Sequence, residues 1–559
     1  MRCAIAAFAA AALLNGLIAA QSQAQDFAAQ RLRLPFPAYD GTLTPYTFAL
    51  GYPLVTLIYD TLLLRDAEGV PRPWLARSVT RSRAGRRLTI RLRDGVRWHD
   101  GRPLTAADVA FTFGFVATHE QPRFTPQLGA VERVRATDRL TVTIDLRHPS
   151  LGFDDQPLAD MPILPRHRWQ GLPAGRLAPA GRALGSGPYR LVLSDRRRGY
   201  VLRANRGYFR GPPRVGEIRV PIVGDAEQTY DDLRDRRIDM VPLSLPEQAA
   251  TELGSRLGIG LRRGPSYTGT ALALNVRSGP FRRAAARRAV AAALSLDRIV
   301  RNVAPAVAAE EGFIHPASRW SAGVALAPAL PAGDTTSPAL PRAALRVLAP
   351  RNDPLRLEAG RQVVLALRRA GARATLVALS RRRLERAVGA DGSRPRFDAA
   401  IQTIPALVSY DPDYLTQLFG SDARGAALNV SGYRSAAFDA LARRVASAPD
   451  PEQRRRATLA QLRLLARDAP AIPLFFAQGT FAYRAAVYHD WVFVAGTGIL
   501  HKRSFFAAAP AAADPPAPDV ALARPDSGLS VLDILSIVAL GAVAVLAASA
   551  LLRRRRHRR

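Results

Sequence analysis

Along the chain the apolar positions switch between a period of two and a period near 3.6, the repeats of half-buried strands and amphipathic helices. Leu88, Ile90 and Leu92 alternate, Asp94-Gly95 supplies turn chemistry, and Val96 and Trp98 begin a return; the spacing predicts a hairpin over 86–98. Thr105, with Asp108 three residues on, predicts a capped helix start, and Val109, Phe111, Phe113 and Val116 belong to the helix it opens. Thr137-Asp138 turns into a strand with Leu140, Val142, Ile144 and Leu146 on one face. Farther on, Leu345–Ala349, a helix from about 355 to 370 and Ala374–Leu379 predict a β-α-β unit. Asp450-Pro451 opens a charged helix ending near Arg467, Ile472–Phe476 reads as a strand, and the Pro- and Ala-rich stretch 321–341 reads as a surface excursion. This mixture is the signature of an α/β protein.

The two ends follow other patterns. Met1-Arg2 precedes an apolar run from Cys3 to Ala20, and Ser22-Gln23-Ala24 offers the small residues that a signal peptidase reads, so residues 1–24 are expected to be a secretory signal cut after Ala24. At the other end Ile534 to Leu552 carries no charge over nineteen residues, enough to cross a hydrocarbon core at about 1.5 Å per residue. The seven-residue basic run 553–559 follows at once and is expected on the cytoplasmic side. A span over 531–552 and a Pro/Ala linker over 507–530 would then hold an exported body at the inner membrane.

With 559 residues, 48% of them apolar and 22% charged, the chain is globular and too long for one ordinary core, so at least two lobes are expected. Its one cysteine, Cys3, lies in the signal segment and excludes a disulfide framework, a Cys-ligated zinc site and an iron–sulfur cluster. The net charge of +33 changes the picture less than its size suggests. Lys502 is the single lysine, and arginine is dispersed along the chain instead of clustered with aromatic residues or set in a nucleic-acid-binding motif. Nucleic acid is therefore not an expected partner, whereas an anionic lipid headgroup layer would be favoured.

Several strings, in order, carry a resemblance. They are Ile58-Tyr59-Asp60-Thr61-Leu62-Leu63, Pro73-Trp74-Leu75-Ala76, and the run from Leu92-Arg93-Asp94-Gly95 through Trp98-His99-Asp100-Gly101 to Val109. Gly185-Ser186-Gly187-Pro188-Tyr189, Asn205-Arg206-Gly207-Tyr208-Phe209, Leu274-Asn275 with Phe281-Arg282-Arg283, and Ala289–Leu294 follow. The last are Asp411-Pro412-Asp413-Tyr414-Leu415 and Pro470-Ala471-Ile472-Pro473-Leu474. Together, over roughly residues 30 to 500, they resemble the extracellular solute-binding proteins of family 5, the peptide- and nickel-type receptors of ABC importers. The resemblance implies a two-lobe periplasmic-binding-protein fold of type II, cluster C-like, with a hinge, to which the terminal apolar run adds an expected C-terminal transmembrane helix. Lobe I would run over 25–273, lobe II over 274–475, and 476–506 would return to lobe I, with crossings near Ala271–Val276 and 476–490. It also implies a monomeric, non-enzymatic receptor without cofactor or metal, which closes on a small solute and hands it to membrane permease subunits.

In relatives the segment around Asp411-Pro412-Asp413 meets ligand, so Leu407, Val408, Ser409, Tyr410, Asp411 and Asp413 become the candidate ligand-binding residues. Peptide-binding members typically carry a Gly-Trp pair and then an Asp four residues before the Pro, which pairs with the peptide's α-ammonium. Here Val408 stands at that position, and no Trp occurs between Phe397 and Asp411. Valine cannot compensate a buried ammonium. A peptide amino terminus is thus not the expected handle unless Asp411 or Asp413 substitutes, and Tyr410 is a candidate stacking wall. Trp98 and His99 are read as packing or hydrogen-bonding residues, and the glycines around Ser186 as a tight entry to a strand, since no GxxxxGK[ST] follows.

For an enzyme the sequence offers no G-x-S-x-G, HExxH, P-loop, GxGxxG or mature cysteine, and its eight histidines contain no i,i+4 pair. The alternatives left open are a membrane-tethered solute sensor uncoupled from uptake and a periplasmic hydrolase on a similar scaffold.

Overall fold

The computed structural model describes residues 30–506, apart from 38, 49–50, 83, 173–182, 224–225, 304–305, 327–339, 352, 391 and 423–427. The expected signal segment 1–24, linker 507–530, span 531–552 and basic tail 553–559 lie outside the described residues. Among the described residues no helix is long and apolar enough to cross a membrane.

Two four-stranded sheets dominate the first part of the chain. One places Arg31–Arg33, Glu217–Val220, Gly199–Ala204 and Tyr189–Asp195 side by side; the other orders Ala76–Arg81, Arg87–Leu92, Thr141–Leu146 and Val131–Ala136. In the second sheet the buried alternation of Leu88, Ile90, Val142, Ile144 and Leu146 faces Phe113 and Val116 of helix Ala106–Thr118. That helix begins with the capping box its sequence predicts: the Thr105 amide donates to Asp108 Oδ2 at 2.9 Å.

The hairpin expected over 86–98 does not form. Arg87–Leu92 is already paired on both sides, with Ala76–Arg81 and with Thr141–Leu146. The residues beyond Asp94-Gly95 therefore have no free strand edge to return to. They make a local turn instead, with Val96 and Trp98 buried and the Trp98 amide donating to the Arg102 carbonyl at 2.8 Å.

A six-stranded mixed sheet organises the later part, in the order Ala306–Ala308, Ala471–Arg484, Ile259–Leu274, Ala399–Ile404, Leu345–Pro350 and Ala374–Leu379. The β-α-β unit appears as expected: Leu345–Pro350 and Ala374–Leu379 are parallel and flank helix Pro354–Arg369, whose Asp353 cap accepts from the Arg356 amide at 2.8 Å. Its buried face, with Val363 and Leu367, packs with Leu272, Val347 and Ile401.

Ile259–Leu274 and Ala471–Arg484 are far longer than their apolar patterns suggest. They pair antiparallel from Ile259 opposite Arg484 to Ala273 opposite Ala471, with irregularities between Pro265 and Gly269 and between Thr270 and Ala271. The half of the pair near Leu272 and Leu474 lies in the second core. Phe481 and Tyr483 instead join Leu32, Ile58, Tyr189, Leu202, Trp491 and Phe505. The molecule is thus a mixed α/β protein of two lobes, with cores built from non-contiguous stretches of chain.

Candidate functional site

Five short elements from distant parts of the sequence surround a cavity of about 370 Å³. Helix Tyr52–Ile58 supplies Tyr52 and Thr56, strand Leu63–Arg65 supplies Arg65, and the turn around Ala159 supplies Asp160. Opposite them helix Ala406–Tyr410 presents Leu407 and Tyr410, and the segment from Gly496 to Lys502 closes one end. A second cavity of about 240 Å³, lined by Gln156, Asp411 and Asp413 among others, shares Arg123 and Tyr414 with the first.

The first-lobe wall is pinned from behind by Asp60. Its carboxylate accepts from Ser186 Oγ at 2.9 Å, Trp74 Nε1 at 3.1 Å and Tyr208 Oη at 2.8 Å, and pairs with the fully buried ammonium of Lys502. Four of the recognised strings therefore converge on one carboxylate. His99, from a fifth, bonds the Gly187 carbonyl at 2.9 Å, and burial pushes its imidazole down to about 4. These groups hold the cavity's wall and do not line it, apart from Lys502.

Within the cavity, Arg123 donates to both oxygens of Asp160 at 2.8 and 2.9 Å and stacks over the Tyr52 ring at 4.0 Å. Burial opposes the ionised Asp160 carboxylate, yet Arg123, joined by Arg65 and Gln127, outweighs it and holds the group below its ordinary range. Arg65 packs its guanidinium 4.0 Å from the centroid of Tyr410, a contact across the two walls. Beside it, Asp155 pairs with Arg319 from the other lobe. Burial pushes the Asp155 carboxyl up to about 6 against the pull of Arg319 and Arg65.

The six residues singled out from sequence separate into three groups. Leu407 and Tyr410 line the larger cavity, and the Tyr410 hydroxyl donates to the Ala495 carbonyl. Val408 and Ser409 point away from it. Val408 is fully buried in the core with Ala271, Ile404 and Phe438, while Ser409 Oγ accepts from the His315 amide at 2.9 Å and its carbonyl from Ser318 Oγ. A five-residue helix cannot turn four consecutive side chains to one side.

Asp411 and Asp413 line the smaller cavity, and both are paired with Arg454, at 2.9 Å for Asp413. Asp411 also accepts from the Asp413 amide at 3.1 Å, the local turn expected of Asp before Pro. Burial pushes Asp413 up to about 6, against Arg454 and reinforced by Asp411. The cavity groups that sequence reasoning missed are Tyr52, Arg65, Arg123, Asp160 and Lys502. Two carried a signal: Arg65 interrupts an apolar run, and Lys502 is the one lysine in a chain otherwise cationic through arginine.

Residues 70–425 match the family described as bacterial extracellular solute-binding proteins, family 5 Middle. The chain belongs to that family. Among curated relatives, the oligopeptide-binding protein AppA of Bacillus subtilis is 24% identical over 255 residues, which are 44% of this chain and 46% of AppA. Protein XP55 of Streptomyces lividans is 32% identical over 203 residues, 35% of each chain. The alignments span about a third to a half of the curated relatives' length. The crystal structure of NikA from Brucella suis in complex with Fe(III)-EDTA superposes with a TM-score of 0.71 at 19% identity, covering 84% of this chain and 98% of NikA. The likeness extends the two-lobe fold well beyond the matched 70–425.

Proposed function

We infer that the protein is the solute-capturing receptor of a bacterial ABC importer: it grips a peptide-like or other small solute between its lobes and delivers it unchanged to a membrane permease. The observation that carries this reading is the larger cavity, lined by Arg65, Arg123 and Asp160 on one wall and by Leu407 and Tyr410 on the other. A solute there touches both walls only when the lobes are shut, so it shifts the open–closed balance by its differential affinity for the two forms. Named relatives support this reading: an oligopeptide-binding protein of Bacillus subtilis and a putative ABC transporter peptide-binding protein of Brucella ovis.

The boundaries proposed are lobe I over 25–273, lobe II over 274–475 and a return over 476–506, with bending carried by the paired strands Ile259–Leu274 and Ala471–Arg484. Leu407 and Tyr410 are the ligand contacts favoured among the six; Asp411 and Asp413 serve the smaller cavity with Arg454. On this reading the receptor works in the periplasm after removal of a signal peptide, with the charge-free run within 531–552 as its tether. The charge-free run and its arginine cap support that placement. The test is mass spectrometry of solute carried through native purification, joined to uptake assays in a deletion strain. A bound solute with lost uptake is expected; a bound solute with unchanged uptake would favour a tethered sensor, which the same terminal run supports.

A further inference from the structure

The short turn Leu151–Phe153 bridges the two halves of the molecule. Phe153 sits in the core with Leu88, Ile90 and Phe113, while Leu151, two residues earlier, packs against the core that holds Val408, Phe438 and Leu462. Arg81 braces the turn from its own side, donating to the Ser150 carbonyl at 3.3 Å and to Asp154 at 2.6 Å. Asp155, just beyond it, pairs across the junction with Arg319.

Between these anchors Gly152 meets the second lobe directly. A Cβ there would sit 2.7 Å from Arg454 Nη2 and from Asp411 Oδ1, closer than packed side-chain carbons approach such atoms. The backbone itself does not ask for glycine, because Gly152 lies in a helical turn and outside the left-handed region. The groups it touches are held in place. Arg454 is fully buried, 4.5 Å from the Trp320 ring, and Asp411 is tied both to Arg454 and to the Asp413 amide. The missing side chain therefore answers to the approach of one lobe to the other. Every group in this contact belongs to the chain, so making it requires no solute.

We propose that the turn Leu151–Asp155 is a closure latch and that Gly152 is its positioning residue: the absent side chain lets the first lobe seat on the Asp411–Arg454 pair of the second. This rests on the solute-receptor reading above and names residues that set its closing step. A contact independent of solute raises the closed fraction before solute arrives. It strengthens every solute by one common factor and leaves the choice among solutes to the cavity walls.

The experiment follows hydrogen exchange by mass spectrometry in full-length protein, in detergent and with no solute added, comparing the parent with Gly152→Ala and Gly152→Val. In the parent, peptides over 150–156 and 406–415 are expected to exchange slowly. Gly152→Val is expected to speed both by about tenfold or more, with Gly152→Ala between the two. Strands Arg87–Leu92 and Ala399–Ile404, inside the separate cores, should keep the parent's rates. Unchanged exchange over 150–156 in a folded Gly152→Val overturns the inference. So does faster exchange that spreads to Arg87–Leu92, which would make Gly152 a residue of lobe folding and not of closure. Should neither glycine variant fold, Arg319→Gln cuts the same contact from the opposite side and decides by the same peptides. No solute enters the measurement, so its outcome is separate from that of the receptor reading, which stands or falls on retained solute and uptake.

Discussion

Arg454 is fully buried on helix Pro451–Asp468, with its guanidinium 4.5 Å from the Trp320 ring and its charge shared between Asp411 and Asp413. Removing it leaves the buried Asp411 and the half-buried Asp413 without a cation. Arg454→Met is therefore expected to lower unfolding free energy by about 3–5 kcal/mol in urea titrations. Adding Asp411→Asn and Asp413→Asn to that variant should recover part of the loss; no recovery would mean that packing, not charge, holds the site. His501 makes a prediction with a pH sign. Its folded pKa lies near 3 against an ordinary value of 6.5, so the unfolded chain binds the proton first as pH falls. The stability it secures is complete above about pH 6.5 and is lost as pH falls toward 3. Between pH 7 and pH 5 that loss amounts to about 2 kcal/mol, and His501→Gln should remove it from the difference between denaturation curves at the two pH values. None of this was legible from spacing. Arg454 lies 43 residues from Asp411 on a helix that reads only as charged.

Elements whose information is local came through well. Thr105 and Asp108 predict a helix start and form one, and Thr105→Ala should cost about 1 kcal/mol, read from the denaturation midpoint. The long paired strands were not legible beyond their apolar ends. Ile259-Gly260-Leu261-Arg262-Arg263-Gly264-Pro265 lacks the alternation of a half-buried strand, and its extended form is imposed by the partner strand. Gly264 and Gly479 face each other there, and the Phe493 ring covers both. A Cβ at Gly264 would sit 2.5 Å from that ring. Gly264→Ala is expected to destabilise by about 1–3 kcal/mol through overpacking, measured by thermal unfolding; an unchanged midpoint would show that Phe493 moves aside freely. The failed hairpin teaches the complementary lesson. Asp94-Gly95 specifies a turn, but which strand lies next to Arg87–Leu92 is decided by competition among edges.

At the scale of the molecule, the Asp155–Arg319 pair and the contact of Arg65 with Tyr410 join the two lobes. If they help hold the closed form, Arg319→Gln should enlarge the radius of gyration in small-angle X-ray scattering and weaken solute binding. A radius unchanged from the parent would remove the pair from any part in closure. Deleting 530–559 should release a soluble body that binds the same solute as the full chain, and failure to bind would sink the proposed tether.

Sequence by itself determined the α/β class, the capped helices, the β-α-β unit and membership of a solute-binding family, because each rests on contacts between near neighbours or on strings of local turn and packing residues. It also pointed to Tyr410 and Leu407. Only the tertiary structure decided which side of a short helix faces the cavity, which carboxylate meets which arginine, and that Arg65 and Lys502 line the cavity. Those outcomes depend on charges brought together from stretches hundreds of residues apart, and the low-dielectric interior that makes such pairings matter exists only once the lobes have packed.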